Sequence, residues 1–285
     1  MLEARVAAAQ MKPELINRAH LGKILERNAL RVLDMAKQAS QLGVHAVVFP
    51  ELCITGYCIQ DKQLVKDAIG QFEKYYDLWF RTFAAEKGII MAVGVPDRLD
   101  DEFLFDSCNI YTPSGTLKQH KSRLWENETY LFSHAESYLL PGEPRDIAFQ
   151  SLDIQGMKAG AAICFDYFSS DIPGMHSHMG HQLILLPSAW VKTVNQTPMN
   201  MICHKNLREI SSRTGQIIIN ASRTGEERCY IDGSGDVTRF LGGSSITGPG
   251  YFHAIRSEIG LLVADLGPEG ISSRFVPVDK SIKYP

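Results

Sequence analysis

Three short segments hold side chains that could do chemistry together: Phe49-Pro50-Glu51, His120-Lys121-Ser122-Arg123-Leu124 and Ile163-Cys164-Phe165-Asp166. Each lies at the end of an apolar strand-like run or in the loop just after it. A carboxylate, an ammonium and a thiol brought together supply a base, an oxyanion stabiliser and a nucleophile, the parts that acyl transfer needs.

Taken singly, each residue also has a plain structural explanation. Glu51 could be an exposed carboxylate opening the 51–57 loop. It does, however, follow Val47-Val48-Phe49-Pro50, so it emerges from an apolar wall, and burial makes a carboxylate a better base near neutral pH. A thiol in apolar company is most often a core residue. Cys164 differs because the chain turns polar directly after it, so the next backbone N–H groups can face a bound anion. Lys121 could be a solvated surface charge, and its chemical role depends on the other two being close in the fold.

The elements that must position these residues read as α/β. Apolar runs at 4–10, 44–49, 89–94, 106–112, 157–164, 183–186, 217–220 and 260–265 predict strands. Several are apolar at nearly every residue, as expected when both sheet faces are covered. Leu21, Ile24, Leu25, Ala29, Val32, Leu33 and Ala36 recur at helical spacing, and 71–87 and 197–214 also predict helices. No repeat, low-complexity tract or linker divides the chain, so a single domain over residues 1–285 is expected.

Composition excludes some partners. The 29 basic and 32 acidic residues leave a net charge of -3, with no electrostatic footprint for nucleic acid or membrane. No apolar run approaches the ~20 residues of a membrane span, and no signal peptide is visible. The six cysteines are scattered without a CxxC pair, which predicts free thiols in a reducing compartment and a cytoplasmic location.

The combination F-P-E-L-x-x-T-G-Y, K-x-x-L and I-C-x-D, in this order and spacing, resembles the nitrilase superfamily of carbon–nitrogen hydrolases. Further matches extend the likeness over nearly the whole chain: Ala8-Ala9-Gln10, Leu139-Leu140-Pro141-Gly142, Leu186-Pro187-Ser188-Ala189-Trp190, Asn220 to Gly225, and Gly243-Ser244-Ser245-Ile246 with Pro249-Gly250. The resemblance implies a four-layer α-β-β-α sandwich, with Glu51 as general base, Cys164 as nucleophile and Lys121 as oxyanion stabiliser, aided by the backbone N–H of Phe165. It also implies a second glutamate before the Pro-Gly turn. Glu136 fits the family's distance to that turn better, and Glu128 is the other candidate. Tyr57 and Trp190 are candidate pocket walls or ordinary core aromatics.

Such a site needs neither metal nor organic cofactor, only a small-molecule amide and water. Cys164 is followed by Phe-Asp, whereas true nitrilases usually carry Trp-Glu there. The arginine-rich segment that some carbamoyl-amino-acid hydrolases place after the cysteine is also missing. Hydrolysis of a small or medium linear amide is therefore favoured over N-carbamoyl or nitrile hydrolysis. Family members pair at least as dimers, and the apolar tail Arg274-Phe275-Val276-Pro277-Val278 is a candidate interface, with 272–285 as its outer bounds.

Three rivals compete with this expectation. His176, His178 and His181, with Cys203-His204 later, could suggest a metallohydrolase, but no H-E-x-x-H or CxxC companion accompanies them. A papain-like enzyme would need a histidine touching Cys164. A binding or assembly protein on a retained hydrolase fold would have no chemical reason to keep all three reactive residues.

Overall fold

The computed structural model describes residues 3–59, 61–100, 102–135, 149–169, 171–191, 193–194, 197–228 and 237–278. Strand β1 (Ala4–Gln10) leads through helix α1 (Leu21–Gln41) to β2 (Ala46–Val48). Helices α2 (Lys62–Tyr75) and α3 (Asp77–Lys87) follow, then β3 (Ile90–Arg98), β4 (Leu104–Thr112) and β5 (Gly115–His120). Next come β6 (Ser151–Ile154), β7 (Met157–Ala161), α4 (Ile172–His178) and β8 (Leu183–Ser188). The short pair β9 (Thr193–Val194) and β10 (Thr197–Pro198) precedes α5 (Met199–Thr214) and β11 (Ile217–Ser222). The chain continues through β12 (Thr224–Arg228), β13 (Val237–Leu241), β14 (Ser245–Gly248) and β15 (Tyr251–Ala254) to β16 (Gly260–Gly267) and β17 (Gly270–Pro277).

Two sheets dominate. The first runs β17-β16-β1-β2-β3-β4-β5, and the second β15-β14-β11-β8-β7-β6. Period-two alternation divides each strand between two cores. In β1, Val6 and Ala8 face the second sheet while Ala7 and Ala9 pack with α1, α2 and α3. In β8, Leu183 and Leu185 face the first sheet, and Ile184 and Leu186 pack toward α4 and α5. The continuous apolar runs thus mark strands covered on both faces. Ala4, Ala8, Ala46, Ala92, Ala159, Ala161, Ala221 and Ala264 line the layer between the sheets, where small side chains let the two approach. The result is the expected single-domain α-β-β-α sandwich.

Two sequence expectations need correction. The helix expected over 71–87 is two helices. Asp61 caps the first, accepting from Gln63 N at 2.9 Å and Leu64 N at 3.1 Å, and the chain breaks at Tyr76. There the tyrosine ring turns inward, with its hydroxyl donating to Gly22 O at 3.2 Å and its edge against Trp79. The cysteines are also not uniformly free: Cys53, Cys108, Cys164 and Cys203 are, but Cys58 is disulfide-bonded. The reducing-compartment argument therefore loses its basis. No helix among the described residues is long and apolar enough to cross a membrane.

The tail proposed for an interface is paired within its own chain as far as Pro277, since β17 lies antiparallel to β16 at the edge of the first sheet.

Candidate active site

Glu51, Lys121 and Cys164 are delivered by three strand ends. β2 stops at Val48, Phe49 N still reaches Ala92 O at 2.7 Å, and the chain then turns over β3. The turn passes so close that a Cβ on Gly94 would lie 2.2 Å from Pro50 O and 2.7 Å from Glu51 Cα. Only glycine fits there. Behind the loop, Asn28 of α1 donates to Ile54 O at 2.9 Å, tying the helix to the Glu51 segment.

Lys121 follows β5 directly, and its N–H extends the ladder to Asp106 O at 2.8 Å. Its side chain is fully buried, with Nζ 2.5 Å from Glu51 Oε1, 2.7 Å from Glu128 Oε1 and 3.3 Å from Asp106 Oδ2. Burial alone would drive the proton off this amine. The charges of Glu128 and Glu51 chiefly overcome it and hold Lys121 well above the usual lysine range. The three carboxylates lie within 4.8 Å of one another, a spacing a cation can fill. The cation between them is the lysine ammonium.

Cys164 opens a 3-10 turn, Cys164–Phe168, with φ of 47°. A cysteine in the left-handed region is strained, and such strain concentrates at functional positions. Asp166 fixes the turn. It accepts from Ile163 N at 3.1 Å, and from Ser122 N at 2.9 Å and Arg123 N at 2.6 Å, clasping the cysteine and lysine segments together. Burial, and then the Glu51 charge, push the Cys164 thiol well above its ordinary value, against the pull of Lys121. The resting thiol is therefore protonated, and attack by sulfur requires a base.

A cavity of about 230 Å³ opens over the cysteine, lined by Tyr57, Trp125, Glu128, Cys164, Phe165 and Trp190 among others. Both pocket-wall candidates, Tyr57 and Trp190, and also Phe165 lie in this lining. Tyr57 donates to Glu128 Oε1 at 2.5 Å, and Trp125 N to Glu128 Oε2 at 2.7 Å. Of the two second-glutamate candidates, Glu128 sits on Lys121, and Glu136 lies outside the described residues.

Sequence reasoning missed two further groups. Asp106 occupies the middle of buried β4, where a carboxylate among Leu104, Phe105 and Cys108 was the available signal. Glu227 Oε2 accepts from Tyr57 N and Cys58 N, each at 2.9 Å, and pairs with buried Arg223, whose guanidinium lies 4.4 Å from the Phe240 ring centre. This pair holds the Tyr57 loop from below.

The histidines do not assemble a metal site. His178 is exposed, while buried His176 and His181 face each other through Nδ1 atoms 2.7 Å apart, and Ser151 Oγ lies 2.6 Å from His181 Nε2. No three-ligand group includes them among the described residues. His204 binds Gly243 O at 2.7 Å instead.

Comparison with known proteins agrees with this architecture. The carbon–nitrogen hydrolase family model matches residues 5–269, and the chain belongs to that family. It is 26% identical over 247 residues to a nitrilase of Pyrococcus abyssi, covering 86% of this chain and 81% of the relative. A glutamine-dependent NAD(+) synthetase of Acinetobacter baylyi is 23% identical over 88% of this chain, which spans only 43% of that enzyme. Among solved structures, an amidase from Nesterenkonia sp. superposes with a TM-score of 0.69 at 22% identity, over 92% of this chain and 90% of that one.

Proposed function

We propose that this carbon–nitrogen hydrolase converts a small or medium linear amide to carboxylate and ammonia through a thioester on Cys164. The observation that carries the proposal is the juxtaposition of a strained cysteine on a cavity wall with a buried lysine held by Glu51 and Glu128. In the first half-reaction Glu51 takes the thiol proton as Cys164 Sγ attacks the carbonyl carbon. Lys121 Nζ and the backbone N–H of Phe165 hold the tetrahedral oxyanion. Glu51 returns the proton to the leaving nitrogen, the carbon–nitrogen bond breaks and ammonia departs. Water then attacks the thioester with Glu51 again as base, giving the carboxylate and the free thiol.

Glu128 orients Lys121 and is itself held by Tyr57. Trp125, Phe165, Phe168 and Trp190 suit an acyl group with apolar surface, and the cavity volume limits its size. The Nesterenkonia relative supports the assignment by analogy, since one of its structures shows acrylamide added at the active-site cysteine. A homodimer or higher homo-oligomer completes the proposal by family resemblance. The test is ammonia release across amides, N-carbamoyl compounds and nitriles, with acid-quenched intact-mass analysis. An acyl adduct on Cys164 from an amide is expected. Turnover of nitriles alone would replace the amidase assignment.

A further inference from the structure

Lys121 has one carboxylate more than the reaction requires. Glu51 acts as base and Glu128 orients the ammonium, which leaves Asp106 of β4 without a role. Its side chain has no solvent contact, and neither do those of Glu51 and Lys121. Fully ionised, the cluster would set three negative charges against a single positive one among buried side chains. Buried charge in such excess is not sustained, and the usual outcome is that a carboxyl keeps its proton.

The hydrogen bonding points to which one. Glu51 Oε1 and Glu128 Oε1 lie at 2.5 and 2.7 Å from Lys121 Nζ, while Asp106 Oδ2 is at 3.3 Å and gains least from the ammonium. Glu128 is further supplied by the Tyr57 hydroxyl and Trp125 N–H. Glu51 Oε2 and Asp106 Oδ1 are buried oxygens with no donor among the described residues. One proton between these neighbouring carboxyls provides the missing donor for both.

We propose that Asp106 is a positioning residue for Glu51: it stays protonated at neutral pH and donates its hydrogen to the Glu51 carboxylate. This rests on Glu51 being the base of the proposed reaction. The donated hydrogen holds Glu51 in one rotamer beside Lys121, ready for the thiol proton. The groups facing Asp106 are Glu51 from the loop after β2, Lys121 after β5, Glu128 from its 3-10 turn, and Cys108 on its own strand. Burial, followed by the charge on Glu51, drives Asp106 well above the ordinary aspartate range, Lys121 opposes this, and the hydrogen bond with Glu51 and the charge of Glu128 add to it. At high pH the shared proton is lost. The added negative charge then opposes formation of the thiolate and the oxyanion, so turnover falls.

Asp106→Asn and Asp106→Leu test the assignment. The amide can donate to Glu51 and cannot ionise, whereas leucine can do neither. In the infrared difference spectrum of wild type minus Asp106→Asn at neutral pH, the carbonyl stretch of a neutral carboxylic acid is expected, and it should disappear on alkaline titration. A band for an ionised carboxylate in its place would overturn the proposal. This readout needs no substrate, so it decides the point even if the amidase proposal fails. On an amide that wild type hydrolyses, Asp106→Leu should lose roughly a hundredfold in kcat/KM, the scale of a lost hydrogen bond to a charged group. Asp106→Asn should recover most of that loss and move the alkaline limb of the pH profile upward. An inactive asparagine variant, or one with an unmoved alkaline limb, would contradict the proposed role.

Discussion

Two buried clusters in this molecule look alike in a list of residue types, but physically they are opposites. Around Lys121, three carboxyl groups surround one ammonium beside a strained cysteine on an open cavity. Beside β7, His176 of α4 and His181 just after it meet through their Nδ1 atoms with the rings tilted by 44°, and Ser151 lies on the outer nitrogen of His181. The first cluster holds unbalanced charge and a thiol with an open cavity beside it. The second is neutral, although His176 Nε2 has no partner among the described residues: burial, with His181 beside it, lowers His176 to about 3, and burial, with Lys158 nearby, lowers His181 to about 4. Reactive residue types are therefore not enough. Strain, access to a cavity and an electrostatic demand that only chemistry uses distinguish a site from a core.

Variants can break this contrast, beginning with the largest effect. Cys164→Ala should lower ammonia release by about 10⁶-fold, the scale seen when a nucleophile is removed, without changing the melting temperature appreciably. Glu51→Gln keeps the shape but cannot take the thiol proton, and a loss of about 10³-fold in kcat is expected; wild-type rates would remove the base assignment. Glu227→Ala leaves Arg223 buried and unpaired and releases the Tyr57 and Cys58 amides. Urea titration should then show destabilisation of about 3 kcal/mol.

The histidine pair should affect stability alone. Both histidines bind protons less readily folded than unfolded, where the reference is 6.5. Their contribution is therefore complete above about pH 6.5 and is lost as pH falls toward 4, by up to about 1.4 kcal/mol per pH unit for each proton taken up. His176→Gln should flatten that dependence while turnover at neutral pH is unchanged. Prolonged EDTA treatment should likewise leave turnover intact, and metal-dependent loss and recovery would restore the histidines to the chemistry.

Much of the first cluster was legible in the sequence because strand ends are legible. Val47-Val48-Phe49 and Ala159 to Ile163 are apolar on both faces, so the first reactive side chain after each run had to emerge at the sheet's end. Lys121 became meaningful only through its partners, since a lysine after a half-polar edge strand looks like surface. Glu128 and Asp106 were harder. A 3-10 turn carries no periodicity, and a buried aspartate in a strand declares a partner without saying which. The break at Tyr76 was hidden because aromatic residues fit a helical pattern as well as a core contact. The disulfide at Cys58 was hidden because cysteine spacing does not reveal spatial proximity.

The most direct test of the account is to alkylate the protein with iodoacetamide and to measure, on one sample, the extent of modification at each cysteine and the remaining amide hydrolysis. Cys53 and Cys108 are buried away from the cavity, Cys203 is buried although it contributes to the cavity wall, and Cys164 is partly exposed on it, so modification is read separately at each. Activity should fall in proportion to modification of Cys164, and a saturating amide substrate should slow both. Full alkylation of Cys164 with turnover undiminished would contradict it.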